Sequence, residues 1–512
     1  MFLRQTLIFA IFSASISCTG TLEATEQIEG SGSKGKRPPS PSPAESNAHT
    51  PLPDSVVVSI GQSIQSAVNA NPAGTAFLIK TGIHRNQQVT PKSGNSFVGE
   101  EGAILSGAVL LTTFTQEGSY FVASGRDESG QAVGQCKTGY PRCNHPENLF
   151  FNDVPLRHVA SLSEVSDDTT WFFDYSNDKV YFRKNPAGQK VELSSSRFAF
   201  ANGTANNVLI RGLTIEKYAS PAQMAAIGDH SGAGENWKVE HNILRWIHGS
   251  GVNLGKNGRA YKNKMYENGG RGAGLIWLSN QFISGAVFEG NTSYRHCIYF
   301  GIDCGWDGGG MKFTRGENIL VKDNHVYEND GRGLWSDVFI KNIIYEGNIV
   351  ENNVGPGINH ELSYDAIVRN NTVKGNGTGF SIWGWGAQIL IQNSTDVEVH
   401  DNTVVVPANA DGIAILNSGA REVSIANVYA HHNDVTFLGS PGDDATGGFC
   451  DLAAGCTAYY NGSVRMDYNR YHVPRLDGWY FTWEWNAITW NDYRTRAAPQ
   501  EQNSTIDTNI VP

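Results

Sequence analysis

Beyond its first seventeen residues the chain has no apolar run that approaches membrane-spanning length, so no transmembrane segment is expected in the mature protein. It has no basic cluster in its folded part, a net charge of −11 and a sequence pI of about 5.7. That balance argues against nucleic acid as a partner. Cysteine is scarce, at 7 residues, and neither Cys-x-x-Cys nor a Cys/His set with zinc spacing occurs, which argues against a zinc module. Glycine is abundant at 57 residues, but it recurs at turns and forms no low-complexity tract, so the chain is globular and not fibrous.

The N-terminus carries signals of its own. Residues 1–18 read as an export signal, with Arg4, the apolar run Leu7-Ile-Phe-Ala-Ile-Phe and then small residues. Cys18 follows Ser15-Ile-Ser, close to a lipoprotein box but with Ser15 where an aliphatic residue is preferred, so a lipid anchor and an incidental cysteine both stay open. Either way the product is exported: secreted, periplasmic or anchored at the envelope. Residues 19–53, centred on Arg37-Pro-Pro-Ser-Pro-Ser-Pro, cannot bury enough apolar surface to order themselves and read as a linker.

The body of the chain repeats. Gly310-Met-Lys-Phe-Thr is followed by Asn324-His-Val, Gly333-Leu-Trp-Ser-Asp by Asn348-Ile-Val, and Gly357-Ile-Asn-His-Glu by Asn371-Thr-Val. The glycines are 23 and 24 residues apart, with Gly379 a further 22 on. Such a period, made of short β-branched runs between Asn and Gly turns with no long helical period, marks a solenoid whose units bury a core only by stacking.

These features resemble the right-handed parallel β-helix of the pectate-lyase-like superfamily. The resemblance rests on Asn-x-(Val/Leu/Met) at Asn242, Asn263, Asn324, Asn348, Asn371 and Asn402, and on Gly-(Ile/Leu/Val/Phe) at Gly251, Gly274, Gly333, Gly357, Gly379 and Gly412. It implies an all-β, single-stranded right-handed parallel β-helix with three strands per coil, in which the corner asparagines stack into an amide ladder. It matches no catalytic signature of one enzyme family, and the fold alone does not fix function.

Within that frame, residues 54–109 are expected to hold an amphipathic capping helix near Ile60–Val68 and the first coils. Residues 110–195 break the rhythm and read as a small β-rich insertion, with an aromatic hairpin at Trp171 to Phe182. The helical core spans 196–440, and 441–512 covers the last coil. Without Cys18 the cysteines fall into three close pairs, Cys136 with Cys143, Cys297 with Cys304 and Cys450 with Cys456, expected as local disulfides in an oxidising compartment.

Strand alternation sorts the residues after each corner glycine. Met311, Leu334 and Ile358 are apolar and face inward, so the next column, Asn253, Ile276, Lys312, Trp335, Asn359 and Ser381, faces outward. Two residues further the outward column reads Gly255, Leu278, Thr314, Asp337, Glu361 and Trp383. Asp337 and Glu361 are thereby expected one coil apart as a catalytic carboxylate pair, or as oxygen ligands of Ca²⁺ with Asn359. Lys312 is the alternative catalytic base of a lyase. Trp335, Asn359, Arg332 and Trp383, with Asp303 and Asp307 on a cysteine-closed loop, are the candidate substrate-binding residues. The plain reading of each is a solvated or packing residue. His360 is expected inward beside Ser336, and Asp229, His230 and His241 are taken as structural. The functional expectation is an exported polysaccharide-binding protein that degrades its ligand as a glycoside hydrolase or polysaccharide lyase; a non-catalytic glycan-binding protein or adhesin is the alternative.

Overall fold

The computed structural model describes residues 48–229, 232–275, 282–380, 383–419, 423–440, 445–451, 456, 460 and 462–510. The expected export signal, Cys18 and the linker as far as residue 47 lie outside them, as do His230, Ile276, Leu278 and Ser381. Among the described residues no helix is long and apolar enough to cross a membrane.

Because the runs between Asn and Gly turns are only three to seven residues long, each strand pairs with its counterpart one coil later and not with its neighbour in sequence. Three long parallel sheets result. Sheet 1 runs from Val56–Val58 to Val464–Asp467, and sheet 2 from Gly82–Arg85 to Thr505–Asp507. Sheet 3 runs from Ala225–Ile227 through Arg271–Leu275, Gly309–Phe313, Arg332–Asp337, Ile358–Glu361 and Ala387–Gln392 to Phe481–Glu484. The fold is a right-handed parallel β-helix.

The inward column of sheet 3 is Met311, Leu334, Ile358, Ile389 and Ile413 in continuous register, all buried. At the corner between sheets 1 and 2, Asn242, Asn263, Asn291, Asn324, Asn348, Asn371, Asn402, Asn433 and Asn469 form one ladder, each amide donating to the next at 2.9–3.1 Å. Each backbone N–H donates to the following side-chain oxygen as well, so a polar column is buried with its groups satisfied.

A second, mixed ladder runs beside sheet 3: Asn268, His296, Asn329, Asn353, Asn376 and Gln388. It explains the corner glycines. A Cβ at Gly357 would lie 2.7 Å from the Asn376 amide nitrogen and 2.6 Å from the Gln388 carbonyl. It also corrects two glycine assignments. Registered with Gly251, Gly310, Gly333, Gly357 and Gly412 are Gly272, not Gly274, and Gln388, not Gly379. Gly270, Gly272 and Gly274 share one coil and the middle one takes the corner, while Gln388 needs no glycine because its own amide caps the ladder.

The helix Ile64–Ala70, capped by Ser63, lays Ile64 and Val68 on the first coil beside Val58 and Phe77. It covers apolar surface that a solenoid end would otherwise expose. The insertion consists of two small sheets with an apolar core of their own around Trp171, Phe173, Phe182 and Leu193. Its hairpin pairs Thr170–Asp174 with Lys179–Phe182. At the other end Trp490 and Tyr493 of the helix Trp490–Arg496 pack on Phe481 at 4.9 and 5.4 Å. The three disulfides are Cys136–Cys143, Cys297–Cys304 and Cys450–Cys456.

Candidate active site on the third sheet

On the outer face of sheet 3 the register places Asn253, Gly274, Lys312, Trp335, Asn359 and Leu390 in one column. Asp337, Glu361 and Gln392 form the column two residues on. Gly274 and Leu390 thus stand where Ile276 and Ser381 were expected, and Gln392 stands where Trp383 was expected. The phase error at the corner glycines accounts for all three.

Asp337 and Glu361 are directly paired across the strands, so their side chains leave the sheet about 4.8 Å apart. Lys312 joins the columns. Its ammonium lies 3.0 Å from Asp337 Oδ2 and 3.5 Å from Asp307 Oδ1, donates to the Trp306 carbonyl at 3.0 Å, and sits 3.5 Å from the Trp335 ring centroid. The Arg332 guanidinium, 4.0 Å from that centroid, bonds the Gly305 carbonyl at 3.3 Å. Trp335 donates from Nε1 to Glu361 Oε2 at 3.1 Å, and the Asn359 amide approaches the same oxygen at 3.4 Å.

Lys312, Arg332, Trp335, Asp307 and Glu361 are each less than a tenth exposed, whereas the Asp337 side chain is 16% exposed. Burial pushes the Glu361 carboxyl up, and the neighbouring Asp337 pushes it further, against Arg332, Lys312 and the Trp335 hydrogen bond, which act the other way. Burial draws the Arg332 guanidinium down, while Glu361, Asp337 and Asp303 oppose that shift.

The loop before Gly309 builds the wall. Asp303 caps the short helix Cys304–Asp307 by accepting from Gly305 N–H at 2.9 Å. Asp307, on its last turn, pairs with Arg271 as well as Lys312. Trp306 packs with Cys143, Ala222, Ile302 and Val133. Cys136 of the insertion pairs with Ile302, and Asp303 N–H donates to the Gln135 carbonyl. The first two disulfide loops are therefore docked on each other at the edge of the site.

One residue of the cluster and one loop contact were missed from the sequence. Arg271 stands in one column with Gly309 and Arg332, and correct glycine phasing would have found it. The contact of the Cys136 loop had no local signal. Trp383 is not brought to the cluster: it packs on Phe449 at 4.8 Å, and its indole N–H donates to the Glu484 carbonyl. Packing beneath a loop was the competing reading for this tryptophan. His360 is buried and hydrogen-bonded to Ser336 Oγ at 2.7 Å, and burial draws its imidazole down to about 3.

The residues offered for Ca²⁺ do not fit it. Asp337 faces the Lys312 ammonium and Asn359 turns its amide nitrogen toward Glu361, whereas Ca²⁺ takes six to eight oxygens. A cavity of about 870 Å³ lies elsewhere, on the insertion between Leu110–Phe121 and Asn185–Lys190.

Residues 227–396 match a family model described as a right handed beta helix region. Among solved structures, XylC in complex with xylose is similar with a TM-score of 0.64 at 12% identity, over 88% of this chain and 83% of that one. The A-module of the Azotobacter vinelandii mannuronan C-5 epimerase AlgE4 has a TM-score of 0.43 at 15% identity, over 90% and 98% of the two chains. PfbA, a surface adhesin of Streptococcus pneumoniae, has a TM-score of 0.40 at 14% identity, over 75% and 88%. Identities this low speak to fold alone. No curated protein matches the sequence.

Proposed function

Taking the chain as a right-handed parallel β-helix protein, we propose that it is an exported polysaccharide-degrading enzyme of the glycoside hydrolase type. In this reading Glu361 is the general acid and Asp337 the partner carboxylate. The observation that carries it is the registered pair: one carboxyl is buried and pushed toward its protonated form, while the other is partly open and held by the Lys312 ammonium. Glycosidic cleavage needs one protonated and one ionised carboxyl, and an interstrand separation of about 4.8 Å lies near the roughly 5 Å of a retaining enzyme. Trp335, Asn359 and Arg332 orient Glu361, and Lys312 orients Asp337. Arg271 holds Asp307 against Lys312 and so positions the ammonium. The three disulfides accord with export, and XylC, which shares the fold, was solved with xylose, a saccharide.

A lyase in which Lys312 takes a proton is supported less well. Its ammonium is engaged by two carboxylates, a carbonyl and an indole face, so the lone pair that abstraction needs is not offered. The burial of the cluster does favour a second reading, in which these charges only stiffen a glycan-binding face and nothing turns over.

The test is a screen of acidic and neutral polysaccharides, following reducing ends and ultraviolet absorbance together, with and without chelator. Hydrolysis predicts reducing ends without absorbance, indifferent to chelator, and a loss of about 10²–10⁴-fold in Glu361→Gln. Absorbing products would sink the hydrolase reading. Binding of a glycan from which the wild-type protein releases no product would establish the second.

A further inference from the structure

Far from that cluster, at the corner between sheets 1 and 2, two consecutive histidines face each other. His431 ends the strand Ala426–His431, and His432 follows in the left-handed conformation at φ +53°. Their Nδ1 atoms are 2.7 Å apart with the rings nearly perpendicular, at 85°. The other nitrogen of His431, Nε2, lies 2.9 Å from Glu398 Oε1, on the adjacent strand one coil back. His431 is clamped as well between His400, stacked at 5.1 Å and 3°, and Tyr429 at 4.2 Å; His432 stacks on Tyr468 at 5.2 Å.

We propose that His431 and His432 form a two-imidazole chelate for a transition-metal dication, with a preference for Cu²⁺ or Ni²⁺ over Zn²⁺. The argument begins with the tautomers. When Glu398 accepts from Nε2–H of His431, the Nδ1 of His431 is left as a lone pair, and His432 must donate Nδ1–H to it. Moving that one proton to Nε2 of His432, an exposed residue, turns the hydrogen bond into two lone pairs on facing nitrogens, with no net change of charge. A carboxylate on the far nitrogen is the arrangement that fixes the tautomer and raises the basicity of metal-binding histidines.

The spacing then selects the metal. With metal–nitrogen bonds of about 2.05 Å, nitrogens 2.7 Å apart subtend about 80° at the ion. That suits adjacent positions of a square-planar or tetragonal ion such as Cu²⁺ or Ni²⁺, whereas a tetrahedral angle would need the nitrogens about 3.3 Å apart. Among the described residues no three His, Cys, Asp or Glu side chains converge on one point, so water fills the remaining positions. Asp401, 54% exposed, occupies the corner equivalent to His432 one coil earlier and hydrogen-bonds His400.

The test uses the full chain without a purification tag, stripped of metal, and titrated with CuCl₂, NiCl₂ and ZnCl₂ by calorimetry, with electron paramagnetic resonance on the copper form. The expected result is one saturable Cu²⁺ with a hyperfine pattern from two nitrogens, tighter than Zn²⁺. His432→Asn keeps a residue that tolerates the left-handed backbone and should weaken Cu²⁺ at least tenfold. Glu398→Gln should weaken it about tenfold through the tautomer alone. An unchanged melting temperature in both variants separates loss of a ligand from loss of fold. Copper bound as tightly by H432N as by the wild type, a spectrum of a single nitrogen, or zinc bound more tightly than copper would each overturn the proposal.

Discussion

Two of the polar columns in this solenoid obey different rules. The asparagine ladder is neutral, and each amide both donates and accepts, so every coil can use the same residue and the column continues for nine coils. The charged face of sheet 3 cannot repeat. A cation must meet an acid in the next coil or pair, so Arg271, Asp307, Lys312, Asp337, Arg332 and Glu361 differ in type and come from both strands and a loop. Repetition of one self-complementary group builds a scaffold, and departure from repetition concentrates charge, which is what a reaction can use.

The largest way to break this contrast is to remove one charge from the unrepeated column. Lys312→Met leaves Asp307 with Arg271 alone and Asp337 without its ion pair, and a buried acid that loses its partner costs about 3–5 kcal/mol. Because Asp337 is partly open, the lower end is expected, read as a shift of the urea midpoint at constant slope. Adding Asp337→Asn should recover part of the loss, since the two act as one unit. A Lys312→Met protein within about 1 kcal/mol of wild type would show that solvent already screens the cluster.

A neutral rung should break at a smaller cost. Asn348→Ala removes the acceptor of both the Asn324 amide and the Asn324 backbone N–H, and the donor to Asn371 and to the Val321 carbonyl. Several buried groups at about 1 kcal/mol or more each give an expected loss of about 3 kcal/mol. If the ladder is a string of local bonds, a second substitution four coils away at Asn242→Ala will add its own cost to within about 0.5 kcal/mol. A double variant that loses much more than the sum would show that the ladder is cooperative.

The same contrast explains what the sequence discloses. The neutral column is legible because one residue type recurs at a fixed phase: Asn324, Asn348 and Asn371 announce both the corner and the period. The second ladder escapes notice because His296 and Gln388 substitute for asparagine in it, and with it went the reason for the glycines and the phase of two coils. Asp337 and Glu361 could be paired from alternation, since no insertion separates their coils. Arg271 was missed because the corner of its coil was assigned to Gly274 and not to Gly272. The docking of the Cys136 loop on the Cys297 loop is a contact 160 residues apart in sequence, set by tertiary packing that no local pattern records.

The smallest effect sharpens the comparison at the place where the neutral column meets a charge. Asn469, the last rung, donates to Glu501, which is fully buried and also accepts from Tyr471 and Ser504. Burial pushes this carboxyl up to about 7, with those hydrogen bonds and nearby Asp467 setting the balance, against about 4.3 for glutamate in an unfolded chain. The folded state therefore holds the proton more tightly. Its contribution is fully present below about pH 4.3 and is lost as pH rises through 7, where an ionised carboxylate must be buried. Glu501→Gln, which cannot ionise, should unfold at nearly the same denaturant concentration as wild type at pH 5 and should be the more stable protein at pH 8, by about 2 kcal/mol. Equal stabilities at both values would mean that Tyr471 and Ser504 stabilise the anion well enough for a charge to end the ladder as easily as an amide does.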